Sequence, residues 1–206
     1  MNRDDWFRNT FWDAQIEAAF FKKLARTKNK SQYLRIQASI LASGCPHVAL
    51  RLLDQYFALG ECLDMAQAHV DRAAAYLSLG QVSSAILAYE AALTRETSHP
   101  NVQTRACLEL PFLVAIQRLS EHYDRAIALL ELHRNRLMFP IDRFRWNCAV
   151  ALIRSDQGDR RGAQEAAQNA LAASLEAKSG FRYHSKVGLV AGLDEALRKR
   201  LSELAM

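Results

Sequence analysis

At 206 residues, with a net charge of +5 and a pI near 9.2, the chain is long enough for one ordinary domain or a set of helical repeats. Half of its residues are apolar and 24% are charged, which excludes a wholly disordered chain because that much apolar surface offsets the entropy of ordering. Eight glycines, four prolines and no β-branched alternation make helices the expected element throughout.

The opening MNRDDWFRNT lacks the charged-then-apolar layout of a secretory leader. Residues 1–12 hold Trp6, Phe7, Phe11 and Trp12, a high aromatic density for a terminus. Thr10 and Asp13 have the spacing of a capping box, which opens a helix through about Arg26 with Ile16, Ala19, Phe20 and Leu24 on its apolar side. Thr27–Lys30 reads as a linker. A helical pair follows, with a first helix at Ser31–Ser43, a turn at Gly44-Cys45-Pro46 and a second helix to about Leu59. Pro46 suits the first turn of that second helix, where its missing N–H costs nothing.

Residues 68–93, read AHVDRAAAYLSLGQVSSAILAYEAAL, form the clearest pair. Small residues recur at Ala73, Ala85 and Ala92, Tyr76 and Tyr89 stand between them, and Gly80 marks the break. Small side chains at a helix crossing let the two axes approach to about 8–10 Å. A third pair turns at Glu121-His122-Tyr123-Asp124, and its first helix contains Pro111. An interior proline costs about 3 kcal/mol, so that helix either kinks, favoured near Cys107–Leu108, or consists of two pieces with Pro111 starting the second. His122 and Asp124 flank Tyr123, and capping by Asp124 or Ser120 is preferred over a catalytic role. A fourth pair turns at Gly158-Asp159. Gly180 is placed as a helix C-cap, and Phe181-Arg182-Tyr183-His184 is expected to pack on the last pair rather than contact a ligand. A final amphipathic helix spans about Gly192–Leu204, with Leu193, Leu197, Leu201 and Leu204 along one side.

An alanine stands at the same place in each second helix, at 49, 85, 126 and 163, giving intervals of 36, 41 and 37 residues. It is followed by Leu50, Leu53 and Tyr56, by Ile86, Tyr89 and Ala92, by Ile127, Leu130 and His133, and by Gln164, Ala167 and Ala170. On Ala85-x3-Tyr89 the sequence resembles the tetratricopeptide repeat (TPR) family, whose second helix carries an A-x3-F pattern with a period of about 34 residues. The intervals are longer, so extra residues fall in Leu59–Asp64, Glu96–Asn101 and Met138–Asp142. The family's Leu-Gly of the first helix is here Arg72-Ala73, Leu113-Val114 and Val150-Ala151, and its late proline is displaced from Thr97 to Pro100. The resemblance implies an all-α, right-handed superhelical solenoid of about four hairpins, a single domain over 1–206. Residues 30–178 would carry the repeats and 1–29 and 179–206 the capping segments. Capping is the expected job of the N-terminal aromatics, ahead of a homodimer contact.

No glycine-rich phosphate loop, HExxH, GxSxG or GKS/GKT string occurs, and no cofactor or metal site is expected. Cys45, Cys62, Cys107 and Cys148 are widely separated, as free thiols in a reducing cytoplasm would be. No run approaches the roughly 18 apolar residues of a membrane span. The family likeness implies a non-enzymatic interaction module, a scaffold or adaptor whose first helices line a concave groove for a protein or peptide. Carried onto this chain, the groove positions are Arg35, Gln67, Asp71, Ser78, Phe112, Arg118, Arg145 and Asp156. The lysine and asparagine set by which some TPR modules clamp a terminal carboxylate is missing at Leu34, Ala38 and Asp71. Three arginines against two aspartates, with Phe112 as an apolar platform, make an acidic segment with an apolar anchor the expected ligand. The alternative is a regulatory or nucleic-acid-associated protein working through its basic groups at Lys22–Lys30, Arg134–Arg145 and Arg198–Arg200, a less favoured partner class for so modest a charge excess.

Overall fold

The computed structural model describes residues 5–206, so the first four residues of the expected 1–29 capping segment lie outside the described residues. Among the described residues the regular structure is helical, with ten α-helices and no strand. None of these helices is long and apolar enough to cross a membrane. The chain divides between Ala106 and Cys107 into two compact units.

The first unit holds α1 (Ala14–Leu24), α2 (Lys30–Leu41), α3 (Pro46–Phe57), α4 (Met65–Ser78) and α5 (Val82–Ser98). α2 pairs with α3 and α4 with α5, and α4 also packs on both α3 and α2. The crossings are built as the pattern predicts, with Ala49, Ala73, Ala85 and Ala92 fully buried beside Leu53, Tyr56 and Tyr89. Pro46 occupies the first turn of α3. The start of α1 differs from the expected capping box: the helix begins at Ala14, and the Asp13 carboxylate accepts the Ile16 N–H at 2.7 Å. Asp13 is acceptor-only and already sits at the last non-helical residue, so Thr10 is left outside the helix. The polar stretch after the helix also takes hold earlier than Arg26, since α1 ends at Leu24. α5 is longer than expected and absorbs Glu96, Thr97 and Ser98, leaving a shorter loop around Pro100.

Three of the four N-terminal aromatics pack inward. Trp6 lies 5.4 Å from Phe20 and 4.9 Å from Tyr33, Phe7 lies 4.7 Å from Tyr33, and Trp12 lies 5.4 Å from Phe20. Phe11 points outward and is 63% exposed. The arm is fastened by a polar lock that the aromatic count conceals. Gln37, fully buried on α2, accepts from the Asn9 backbone N–H (3.0 Å) and side-chain amide (2.8 Å), and donates to the Asn9 carbonyl (2.7 Å).

The second unit takes in nearly all of α6 (Ala106–Ile116), then α7 (Tyr123–Leu132), α8 (Pro140–Asp156), α9 (Arg160–Ser174) and α10 (Glu195–Leu204). Short 3-10 turns at Ser120–His122 and Arg134–Arg136 flank α7. Pro111 does not divide α6, which is a single helix. The helix starts at Ala106, so the hydrogen bond the proline forgoes points back to Cys107, in the first turn. Asp124 lies within the first turn of α7, and His122, the residue before that helix, supplies no side-chain cap. Met138–Asp142 is mostly helix, because Pro140 opens α8 and the Asp142 carboxylate accepts the Phe139 N–H at 2.9 Å. Gly180 is not a C-cap. α9 stops at Ser174 with Leu175 as its cap, and Gly180 takes φ +83° in a separate loop closed by Ser179 N–H to the Ser185 carbonyl at 2.8 Å. Phe181 stacks on Phe139 at 5.2 Å, while Tyr183 is 81% exposed.

α8 and α9 pair along Ala149, Ala163, Ala166, Ala167 and Ala170, all buried. α10 lies across α9 and α8 with Leu201 fully buried, and the Asp194 carboxylate caps its start by accepting the Leu197 N–H at 2.9 Å. α10 therefore touches both members of the α8–α9 pair, as α4 touches both members of the α2–α3 pair.

One backbone device recurs at the ends of α4, α6 and α8. The Gln81 N–H donates to the Tyr76 carbonyl (2.9 Å), Leu119 to Val114 (3.1 Å) and Asp159 to Arg154 (2.9 Å). Each is the wide bond of a Schellman close, around a residue in the left-handed region. That residue is Gly80 (φ +70°), Arg118 (φ +54°) and Gly158 (φ +85°).

Candidate functional site

The eight groove positions fall into separate groups. On α2 and α4, Arg35, Gln67 and Asp71 come together. Arg35 pairs with Asp64 through Nε and with Asp71 through Nη1 at 3.1 Å, Gln67 Nε2 donates to Asp71 Oδ1 at 3.0 Å, and the Tyr56 hydroxyl donates to Asp64 Oδ1 at 2.7 Å. Burial raises the Asp71 carboxyl, with the bond from Gln67 and the Arg35 charge opposing it. Burial also pushes Asp64 up, but the bonds from Tyr56 and Arg35 outweigh it and hold that carboxyl below its usual range. One arginine set between two aspartates binds α2, α4 and the segment between α3 and α4 into one piece, and its guanidinium is already committed. Ser78, by contrast, is exposed and donates to its own helix, to the Ala74 carbonyl at 3.0 Å.

In the second unit Phe112 and Arg145 meet. The Arg145 guanidinium lies over the Phe112 ring, 5.6 Å from its centroid, and also pairs with Glu109. A cation over an aromatic face gains about 0.5–2 kcal/mol, depending on how dry the site is.

Arg118 and Asp156 line one wall of a cleft of about 520 Å³, whose other wall is the α10 face carrying Ala196, Lys199, Arg200, Glu203 and Leu204. Asp156 is doubly held: the Tyr123 hydroxyl donates to Oδ2 at 2.6 Å and Arg200 Nη2 lies 3.2 Å from Oδ1. Burial, and after it the bond to Asp156, pushes the Tyr123 hydroxyl up to about 12, so it remains a donor at neutral pH. Lys199 Nζ stands 4.0 Å from Glu203. Arg118 is exposed, and among the described residues it is the one non-glycine with a positive φ. Lys199, Arg200 and Tyr123 are site residues that the groove positions did not include. For Lys199 and Arg200 the signal in the sequence is the basic cluster Arg198–Arg200, and for Tyr123 the turn Glu121–Asp124; neither can be assigned a neighbour until α10 is seen to fold back onto α8.

Elsewhere the structure accounts for groups that could have carried chemistry. Cys148 is fully buried and its thiol is pushed up to about 12 by that burial. Among the described residues no three His, Cys, Asp or Glu side chains converge as a metal ion needs. His69 lies against Phe57 with ring centroids 4.5 Å apart and the rings tilted by 32°, and burial followed by the charges of Arg72 and Arg95 lowers it to about 4. No family model, curated protein or solved structure matches the chain.

Proposed function

We propose that the chain is a divergent TPR-like helical-repeat module, with a non-enzymatic binding role toward a protein or peptide. The observation that carries this reading is the recurrence of one helix close and one buried alanine, alongside the pairing of α2 with α3, α4 with α5 and α8 with α9. The ends of α4, α6 and α8 close with the same hydrogen-bonding pattern, and an alanine recurs, buried, at 49, 85, 126 and 163. Repeated units of this kind leave a face of each pair for its neighbour or a ligand, which is why such folds serve as binding surfaces. The acidic character expected of the ligand now rests chiefly on the Arg118 cleft, since Arg35 is neutralised internally.

The nucleic-acid alternative finds less support. Arg72, Arg95, Arg143, Arg145 and Arg200 are engaged with carboxylates, so these guanidinium groups are already committed within the protein. The deciding measurement is binding of a fluorescent single-stranded DNA and a random-sequence duplex beside affinity capture from the native host. Nucleic-acid affinity that collapses with added salt, with no protein retained, would replace the module reading.

A further inference from the structure

We infer that the cleft between the α6–α7 turn and α10 is a carboxylate-binding site, with Arg118 as its recognition residue for an acidic side chain of a peptide partner. The inference rests on the binding-module reading and gives it a place and a chemistry.

The first observation is backbone strain. The equivalent closing position is Gly80 after α4 and Gly158 after α8, where the left-handed conformation costs nothing. After α6 the same conformation is held by an arginine, φ +54°. A side chain with a Cβ is disfavoured there, because the Cβ crowds the following carbonyl oxygen. Strain of this kind at an exposed turn calls for a use of the side chain. The turn does not use it: the closing bonds are all backbone to backbone, and Arg118 makes no ion pair within the described residues.

The second observation is the charge balance of the cleft. Arg118, Lys199 and Arg200 face Asp156 and Glu203. Asp156 is held by Arg200 and Tyr123, and Lys199 Nζ stands 4.0 Å from Glu203. One positive charge is left, and it belongs to the strained residue. A single spare cation suits a monoanion. A phosphate group carries close to two charges at neutral pH and would stand against two carboxylates, so the cleft selects a carboxylate over a phosphate. Leu204 and Ala196 supply an apolar wall beside the cation, and about 520 Å³ lies within the range of ligand-binding clefts. The guanidinium fork can grip a carboxylate through two parallel hydrogen bonds.

The test is a ¹H–¹⁵N NMR titration of the full chain with a capped leucine–glutamate–leucine tripeptide, its glutamine counterpart and its phosphoserine counterpart. Saturable shifts at Arg118, Ser155 and Lys199 with the glutamate peptide are expected, with binding at least tenfold weaker for glutamine. Arg118→Gly should bind the glutamate peptide at least tenfold more weakly while melting no lower than the parent protein, because glycine relieves the strain. Equal binding of the glutamine peptide, undiminished binding by folded Arg118→Gly, or tighter binding of the phosphoserine peptide would each overturn the assignment. Shifts confined to residues elsewhere would remove this cleft and leave the module reading standing. Binding at the cleft combined with failure to retain any protein from the host would do the reverse.

Discussion

Half-buried Asn9 and fully buried Gln37 satisfy one another with three hydrogen bonds, and neither residue stands out in the sequence. Asn9→Ala would leave the Gln37 carbonyl with one donor fewer and loosen the arm that carries Trp6 and Phe7. A loss of about 1–3 kcal/mol in chemical denaturation is expected, the cost of an unsatisfied buried amide. An unchanged midpoint would show that the aromatic contacts alone hold the arm. At Arg118 the effect runs the other way. Replacing it with glycine should stabilise by about 0.5–1 kcal/mol, since relief of strain exceeds glycine's larger unfolded-state entropy. His69 adds a pH signature. Its ordinary value is near 6.5 and burial beside Arg72 and Arg95, against Phe57, lowers it to about 4. Between those values the unfolded chain binds the proton and the folded chain does not. Stability at this residue is therefore complete above pH 6.5 and falls as the pH drops toward 4. The slope of the unfolding free energy over that interval should flatten in His69→Gln, and a slope identical to the parent's would clear His69 of the effect.

At the scale of helices, what the sequence reveals is what repeats. Glycine at 80 and 158 and proline at 46 carry backbone preferences that suit a helix end and a helix start, and the small alanines at 49, 85, 126 and 163 are all buried. Replacing Ala85, which is fully buried where α5 meets α4, by leucine should overpack the crossing and destabilise by about 1–3 kcal/mol. A thermal midpoint unmoved by that change would mean that the two helices can separate at little cost. The errors lie where one residue type serves two purposes. Asp13 displaced Thr10 as the cap of α1 because a carboxylate one residue before the helix meets the free N–H groups directly. Gly180 looks like a helix end, but it serves a loop that begins only after α9 has already stopped at Ser174. Pro111 does lie inside a helix, yet the damage depends on how far upstream that helix starts, which no local residue announces.

For the whole molecule, charge is legible only as a sum. A surplus of five positive charges and three basic clusters can be read directly from the chain, whereas the pairing that decides which cations are engaged joins residues far apart. Arg200 meets Asp156 across 44 positions, and Arg35 meets Asp71 across 36. The eight groove positions likewise follow repeat register, and register cannot tell a cation that is already neutralised, such as Arg35, from one that is not, such as Arg118. This distinction sets the last prediction, the salt dependence of partner binding. A complex with nucleic acid that neutralises six to ten phosphates loses roughly 10³–10⁵ in affinity between 50 and 200 mM salt. A partner held through one spare guanidinium, with apolar contacts beside it, releases about one counterion's worth of binding. Its affinity should then fall by less than about tenfold over the same interval, and Arg118→Gly should make it flatter still. Affinity of the captured partner measured at those two salt concentrations decides the matter. A steep loss that persists in Arg118→Gly would assign binding to the dispersed basic surface and withdraw it from the cleft.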